Sequence, residues 1–397
     1  MVSYLTRLFG LGRLNLAEDV VQDTLHQALV TWSMRGLPDN PSAWLMRVAR
    51  NRAIDLIRRD DHFHSLAPEL TQLLQESDAE PEPASERAIQ DDQLRMMFAC
   101  CHPGLSTEVQ ITLILKTLCG FSVAEIASAL LGRPDSIEKR LVRARKLLRE
   151  AGSFEQLTNP LELDARIEAV YQAIYLLFNE GYHASQSARA VREELCHEAL
   201  RLALLLSEHP QGARPKGFAL VALFCFDAAR LPGRVDAAGC LIPLDRQDRA
   251  TWNRDLIGRG FQYLERSACD TAVSEYHLEA GIAALHASAQ RYEGTDWAGI
   301  VELYDRLYGL KPTPIVALNR AIAIGQAHGP AAGLQELERI PAATLVEYPF
   351  YPAAQGEFHR LAGHAAEARD FFTRALALAR NPSEARYLER KLEAVTP

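Results

Sequence analysis

No stretch of the 397-residue chain approaches the 18 or so apolar residues that a membrane-spanning helix needs. The first 14 residues contain Arg7 and Arg13, without a long apolar run or a small-residue cleavage site, so they do not resemble a signal peptide. The seven cysteines include no C-x-x-C pair, which favours reduced thiols over a disulfide framework. These absences predict a cytoplasmic protein that does not associate with a membrane.

The sequence also lacks the motifs of common active sites. Neither the phosphate-binding G-x-x-x-x-G-K nor the dinucleotide-binding G-x-G-x-x-G occurs. Glu180, Tyr182 and His183 lie close together, as acid–base groups would, but no nucleophile motif or second placed acid accompanies them. We therefore expect these three residues to serve helix packing and capping. The chain is predicted not to be an enzyme and to use no cofactor.

Adjacent Cys100, Cys101 and His102 raise the question of a metal site. Neighbouring cysteines are poor partners on one tetrahedral ion, and no second pair of ligands follows at zinc-finger spacing. A buried structural role is the favoured alternative. The sequence therefore predicts no metal.

Charge is unevenly distributed along a chain whose net charge is −8. Residues 47–59 contain five arginines against one acidic residue, and residues 133–149 contain seven lysines and arginines against two. Residues 60–92 contain ten acidic residues against one arginine. Local basic segments, rather than the total charge, determine where a protein can contact DNA.

Apolar residues recur at helical spacing throughout, so the sequence predicts an all-α protein. Asn15 and Glu18 have the spacing of a capping box. The helix that follows has an apolar stripe made of Val21, Leu25, Ala28, Leu29 and Trp32. A loop is predicted over residues 35–40, and a helix from Pro41 to about Arg59.

A capped helix, a glycine turn and a longer helix are predicted between residues 122 and 150. Ser122 and Glu125 form a second capping box, and Gly132 makes the turn. The longer helix has one apolar face, formed by Ile137, Leu141, Ala144 and Leu148, and one polar face, formed by Ser136, Lys139, Arg140, Arg143 and Lys146. This division is typical of a recognition helix in a helix-turn-helix motif. The alternative is a solvated basic helix.

The helix over residues 42–59 has a similar character. One of its faces contains Arg47, Arg50, Asn51 and Arg58. Taken alone, this helix is explained equally well by ordinary surface charge.

The C-terminal half is predicted to be helical except for a large loop over residues 231–247. Four residue types recur there at an offset of 68: Tyr304, Arg306, Leu310 and Pro314 correspond to Phe372, Arg374, Leu378 and Pro382. This offset is twice the 34-residue tetratricopeptide period. Stacked helical pairs of this kind usually bind protein on their concave face, so we expect a protein or peptide partner.

Several stretches carry a family resemblance. Residues 17–23 (AEDVVQD), with Ala43-Trp44-Leu45, Asn51, Asp55, Arg58 and Arg59, resemble region 2 of the extracytoplasmic-function sigma factors of the sigma-70 family. Residues 122–127 (SVAEIA), with Lys139-Arg140-Leu141 and Arg143-Ala144-Arg145, resemble region 4. CCHP at 100–103, YLLFNEGY at 175–182 and DRQDR at 245–249 are similar to a subgroup with a C-terminal tetratricopeptide-like extension, often called group 42.

The resemblance implies a role for each matching segment. Asp19, Gln22 and Asp23 would contact the β′ subunit of core RNA polymerase, whose β subunit is a further expected partner. The loop 35–40 would take up a base flipped from the −10 promoter element. The −10 strand would be followed by Asn40, Trp44, Arg47, Arg50, Asn51 and Arg58. The −35 element would be read by the polar face of the helix-turn-helix, with Ser136, Lys139, Arg140 and Arg143 nearest the bases and Lys146 beside them.

The predicted domains follow from these matches. They are region 2 in residues 1–60, an acidic linker in 61–92, region 4 in 93–152, a helical extension in 153–290 and tetratricopeptide-like repeats in 291–397. The family has a further full helix before Asn15, whereas only 14 residues precede it here, so we expect an abbreviated first helix or an internal start. Two other functions stay open: a helix-turn-helix regulator with a helical sensor domain, and a tetratricopeptide scaffold.

Overall fold

A computed structural model of the chain confirms the predicted all-α fold. The structure describes residues 1–59, 86–102, 104–130, 132–150, 160–183, 191–209, 212–236, 239–269 and 272–395. These residues form α-helices and short 3-10 turns without a β-strand. An isolated bridge joins Val235 and Leu241. No helix among them is long and apolar enough to cross a membrane.

The chain divides into two compact units, Met1–Ala173 and Ile174–Pro397. The helices of the first unit are α1 (Val2–Phe9), α2 (Leu14–Arg35), α3 (Pro41–Arg59), α4 (Glu86–Cys100), α5 (Thr107–Thr117), α6 (Val123–Ala129) and α7 (Pro134–Glu150). Helix α8 (Pro160–Tyr182) begins in the first unit and ends in the second. Most of the predicted acidic linker lies outside the described residues, and the predicted five-domain division stays a prediction.

The first helix, α1, has eight residues and helps to form the core of the first three helices. Leu5 and Phe9 of α1 pack with buried residues of α2 and α3, namely Ala17, Val20, Ala49 and Ala53. Small residues at these positions let the three helices approach closely.

The predicted start of α2 is wrong, and so is the predicted burial of Leu25 and Leu29 in its apolar stripe, whereas Ala28 is buried and Val21 packs on the core as expected. The helix begins at Leu14 with Arg13 as its N-cap residue, and no side chain caps it. The residues it buries are Leu14, Ala17, Val20, Thr24 and Ala28. Leu25 and Leu29 are instead 45% and 72% exposed. The apolar residues of α2 are compatible with either of two neighbouring helical faces as the buried one. The face that packs against α1 and α3 is the one with the smaller side chains.

The predicted capping box and the apolar face of α7 are confirmed. The Glu125 amide donates to Ser122 Oγ at 3.2 Å, and the Ser122 amide donates to Glu125 Oε2 at 2.8 Å. The buried residues of α7 are Ile137, Leu141, Ala144 and Leu148. Helices α6 and α7 therefore form the expected pair, joined through the turn at Gly132.

The helices of the second unit follow α8 in short succession. They are α9 (Glu193–Glu208), α10 (Pro215–Ala229), α11 (Arg254–Ser267), α12 (Glu275–Ser288), α13 (Trp297–Leu310), α14 (Pro314–His328), α15 (Pro330–Glu338), α16 (Phe350–Leu361), α17 (Ala365–Ala377) and α18 (Pro382–Glu393). Helix α10 is the most enclosed of them, because nearly every residue from Gly217 to Ala229 is buried. Much of the predicted loop 231–247 is described, and its ends form 3-10 turns.

Helices α13 to α18 form three successive pairs. The third pair begins at Ala365, 68 residues after Trp297, which is the offset found in the sequence. Thr313 caps α14 and Asn381 caps α18, and each helix has proline at its first position. The intervening pair has a first helix of only nine residues, so its sequence matches the other two poorly. The tetratricopeptide assignment itself stays a prediction.

Candidate nucleic-acid interface

The loop between α2 and α3 and the first turn of α3 form one end of the candidate interface. Asn40 caps α3, because its Oδ1 accepts a hydrogen bond from the Ala43 amide at 3.0 Å. Trp44 is half-buried and its ring packs against Trp32, with 5.5 Å between ring centroids. These contacts fix where the loop ends and α3 begins.

Exposed polar groups follow along α3. Arg47 and Asn51 are exposed and Arg50 is half-buried. They lie at positions three and four apart, so they share one side of the helix. Arg58 belongs to α3, but its side chain lies outside the described residues. The face therefore offers at least two exposed hydrogen-bonding side chains.

The three predicted polymerase contacts lie on α2. Asp19, Gln22 and Asp23 are all exposed. Asp23 forms an ion pair with Arg52 of α3, with 2.6 Å between Oδ2 and Nη2. Leu25 lies one turn beyond Gln22 and is also exposed. This side of α2 thus combines acidic, amide and apolar groups, as many protein-binding surfaces do.

The polar face of α7 forms the other end of the candidate interface. Lys139, Arg143 and Lys146 are exposed, and Ser136 is half-buried. Arg140 is partly enclosed and pairs with Glu108 of α5, with 2.9 Å between Nη2 and Oε2. Three exposed cations on one helix suit phosphate contacts, whereas Arg140 must leave Glu108 to reach a base.

A connection between the two ends was not predicted. Arg145 of α7 forms a short ion pair with Glu18 of α2. The other carboxylate oxygen of Glu18 accepts a hydrogen bond from Thr117 Oγ1 at 3.2 Å. The sequence predicts a helix-capping role for Glu18 and no contact for Arg145. The two residues are 127 positions apart, so no local sequence pattern predicts that they pair.

The segment around the adjacent cysteines is packed rather than open. Cys100 and Cys101 are fully buried, and burial raises the pKa of Cys101 to about 12. Nδ1 of His102 accepts a hydrogen bond from the Gly104 amide at 3.0 Å, so this nitrogen is occupied. In the part of the chain that the structure describes, no three metal-ligating side chains come together.

Known protein families match three parts of the chain. Residues 1–63 match sigma-70 region 2, and residues 95–148 match sigma-70 region 4. Residues 166–268 match a family of unknown function, DUF6596. The first two matches contain α3 and α7, the helices with the exposed basic faces.

One relative extends over nearly the whole chain. It is described as the uncharacterized protein R00370 of Rhizobium meliloti (strain 1021), and it is 38% identical over 385 residues, covering 96% of this chain and 90% of the relative. No solved structure matches the chain significantly. Sigma-70 regions 2 and 4 bind core RNA polymerase and recognise promoter DNA. The chain therefore belongs to the sigma-70 family of transcription initiation factors, with a DUF6596 domain after region 4.

Proposed function

We propose that the protein is an extracytoplasmic-function type sigma factor that reads the −10 element with α3 and the −35 element with α7. The observation that carries this proposal is the presence of two exposed basic faces, each within a separate sigma-70 match. An ordinary helix-turn-helix regulator would need the region 4 match alone. A scaffold would need neither face.

On the −35 side, α7 would lie in the major groove. Its apolar face is fully buried, which holds the helix rigidly while Lys139 and Arg143 extend outward. Arginine and lysine donate to guanine edges and to phosphates in this groove. Ser136 would contribute a shorter hydroxyl contact near the beginning of the helix, and Lys146 a phosphate contact near its end.

On the −10 side, the loop after α2 would receive a flipped base and α3 would follow the strand. The cap of Asn40 and the packing of Trp44 on Trp32 give this loop and helix a defined geometry. Flipping costs a few kcal/mol, so the receiving site must be formed before the base arrives. Arg47, Arg50, Asn51 and Arg58 would then contact the backbone of the strand.

Core polymerase would bind α2. Asp19, Gln22 and Asp23 are exposed on it, and Leu25 and Leu29 add apolar surface that the fold leaves uncovered. Apolar side chains beside charged ones are typical of the centre and rim of a protein interface. With the two leucines, the proposed polymerase-binding surface contains apolar side chains as well as the three polar ones.

The second unit would control or complete sigma activity through protein contacts. Its paired helices resemble solenoids that bind peptides. A truncation that tests this role should end at Ala173 rather than near residue 155. The reason is that buried Arg166 of α8 donates to the Phe98 carbonyl of α4 at 3.2 Å, so the beginning of α8 belongs to the first unit.

Run-off transcription tests the proposed function. Purified protein added to core polymerase, with no other sigma factor, should start transcripts at a defined position on a promoter found by transcript mapping. A classical regulator would give transcripts only when another sigma factor is added. A scaffold would give none in either reaction.

A further inference from the structure

Val142 of α7 is an apolar side chain that the fold leaves uncovered. It is 66% exposed, whereas the residues that anchor α7, namely Ile137, Leu141, Ala144 and Leu148, are buried. Among the described residues of the region 4 match, no other large apolar side chain is exposed. A single exposed valine is ordinary on a protein surface, so its significance depends on what surrounds it.

Cations flank Val142 along the helix. Lys139 lies three residues before it and Lys146 lies four residues after it, and side chains at these spacings are neighbours on a helix surface. Arg143 follows Val142 directly and is a neighbour of both lysines at the same spacings. All three cations are exposed. The valine therefore borders the face that the proposed function assigns to the −35 element.

On its other side, Val142 borders Glu138 and Arg145 at the same helical spacings. Arg145 is engaged by Glu18, and Glu138 is exposed. Neither a carboxylate nor an apolar side chain is a partner for a DNA phosphate. Both have partners on base edges in the major groove, because a carboxylate accepts from the cytosine amino group and an apolar side chain contacts the thymine methyl group. This edge of α7 thus suits the bases rather than the phosphates.

The charges around Val142 favour DNA over a protein as the partner. Lysine and arginine side chains neutralise DNA phosphates, whereas lysine is depleted from the interfaces between proteins. Residues 95–148 match sigma-70 region 4, so Val142 and the three exposed cations lie within a DNA-binding region. The valine is therefore continuous with the proposed −35 interface.

Valine has a fixed shape that suits contact with a methyl group. Its side chain branches at Cβ, so it has one strongly preferred rotamer in a helix, and its two methyl groups are held in place. The thymine methyl is the one methyl group that an unmodified base pair presents in the major groove. Loss of one buried group of this size weakens binding about fourfold.

We propose that Val142 reads the 5-methyl group of one thymine in the −35 element. This role rests on the proposed function, because it requires α7 to lie in the major groove. The flanking cations would supply phosphate and guanine contacts, while the valine favours an A·T pair at one position of the element. Val142 is thereby a specificity-determining residue for promoter recognition.

Replacement of thymine by deoxyuracil tests this role, because uracil lacks the 5-methyl group and keeps the base pair. Full-length protein would be assembled with core polymerase, and its affinity for the mapped promoter would be measured by fluorescence anisotropy at constant salt. Each thymine of the −35 element, on either strand, is replaced in turn. We expect about a fourfold loss of affinity at one position and unchanged affinity at the others.

Val142→Ala removes the contact without disturbing the buried face of α7. It should bind the natural promoter about fourfold more weakly, and it should bind thymine and uracil equally well at the sensitive position. Val346→Ala truncates a valine of the second unit that is 62% exposed. This matched control should retain the wild-type affinity and the wild-type preference for thymine.

The outcomes separate the role of Val142 from the proposed function. A wild-type complex that binds the −35 element specifically, yet is insensitive to uracil at every position, would overturn the proposal. An alanine variant that still prefers thymine at the sensitive position would also overturn it, and a weakened variant of this kind would place the valine against polymerase. Equal binding to the natural promoter and to one with a scrambled −35 element would instead contradict the proposed function.

Discussion

Glu18 and Arg145 join the two DNA-binding segments of the protein in one ion pair. Glu18 belongs to α2 and Arg145 to α7, the helix with the predicted −35 contacts. Their side chains are only 15% and 22% exposed, and Thr117 holds the second carboxylate oxygen. A partly buried pair with a third partner constrains two helices more than an exposed pair does.

This pair has to open on a promoter if the proposed function is right. The −10 and −35 elements are about 25 base pairs apart, which is roughly 85 Å along B-DNA at 3.4 Å per step. While α2 stays paired with α7, α3, which packs on α2, cannot lie at the −10 element when α7 lies at the −35 element. We expect core polymerase to separate them.

Fluorescence energy transfer measures this separation. Labels at Val30 of α2 and Glu150 of α7, which are exposed, should move apart by tens of ångströms when core polymerase is added. Labels at Val30 and Asn51, both within region 2, should keep their distance and act as the control. An unchanged distance between Val30 and Glu150 in a complex active in transcription would contradict the expectation.

Substitution of Glu18 tests the strength of the pair. Glu18→Gln should leave the partly buried Arg145 without a counter-charge, and an unsatisfied buried partner costs about 1–3 kcal/mol. Hydrogen exchange in α2 and α7 should then accelerate by roughly 5- to 100-fold. Asp23→Asn breaks an ion pair that is about half exposed on both sides, and its effect should stay within about 0.5 kcal/mol. Equal effects of the two substitutions would contradict this prediction, because they would show that the more buried ion pair contributes no more to stability than the exposed one.

Arg143 of α7 should contribute directly to DNA binding. Removing one phosphate contact lowers the slope of log affinity against log salt by about 1, and removing a base contact costs about 1–3 kcal/mol. Arg143→Ala should therefore weaken binding of the polymerase complex to a −35 fragment about tenfold. Arg95→Ala removes an exposed charge from α4 and should change neither affinity nor slope. Affinity changes are best measured by fluorescence anisotropy over a salt series, and an Arg143 variant with wild-type affinity would argue against groove binding by this face.

Glu279 of α12 should make the second unit less stable as pH rises. Burial raises its pKa to about 7, against the lowering effects of Lys311 and a hydrogen bond with Tyr175, while Glu275 and Asp227 raise it further. The ordinary pKa is 4.5, so the unfolded chain loses this proton first. Stability therefore falls between pH 4.5 and 7.

Glu279→Gln should remove this pH dependence. At pH 8 it should raise the free energy of unfolding by roughly 1–3 kcal/mol, and at pH 4.5 it should change little. Scanning calorimetry at both pH values measures the difference. Glu302→Gln, an exposed substitution on α13, is the matched control. A gain of the same size at both pH values would show that charge burial at Glu279 is not the cause.

The features of the fold that could be predicted are those set by neighbouring residues. The apolar face of α7 and the capping box at Ser122 follow from spacings of three and four residues, and the structure reproduces them. The predicted loop between Arg35 and Pro41 is also found. The local sequence is sufficient to predict these features, because few other structures fit the same residue spacing and capping residues.

The features that escaped prediction depend on which surfaces meet. Leu25 has the right spacing for a core position, yet the fold buries the adjacent Thr24 and leaves Leu25 exposed. The pairing of Glu18 with Arg145 joins residues far apart in the chain. Val142 resembles the other apolar residues of α7 until its exposure is known.

Site-specific photocrosslinking tests most directly whether α3 and α7 contact the two promoter elements. A photoreactive residue would replace Asn51 in one protein and Lys139 in another, and each would be assembled with core polymerase on a mapped promoter. Our account predicts crosslinks centred on the −10 element from position 51 and on the −35 element from position 139. Crosslinks from both positions to the same element, or from neither position in a complex that starts transcripts, would contradict it.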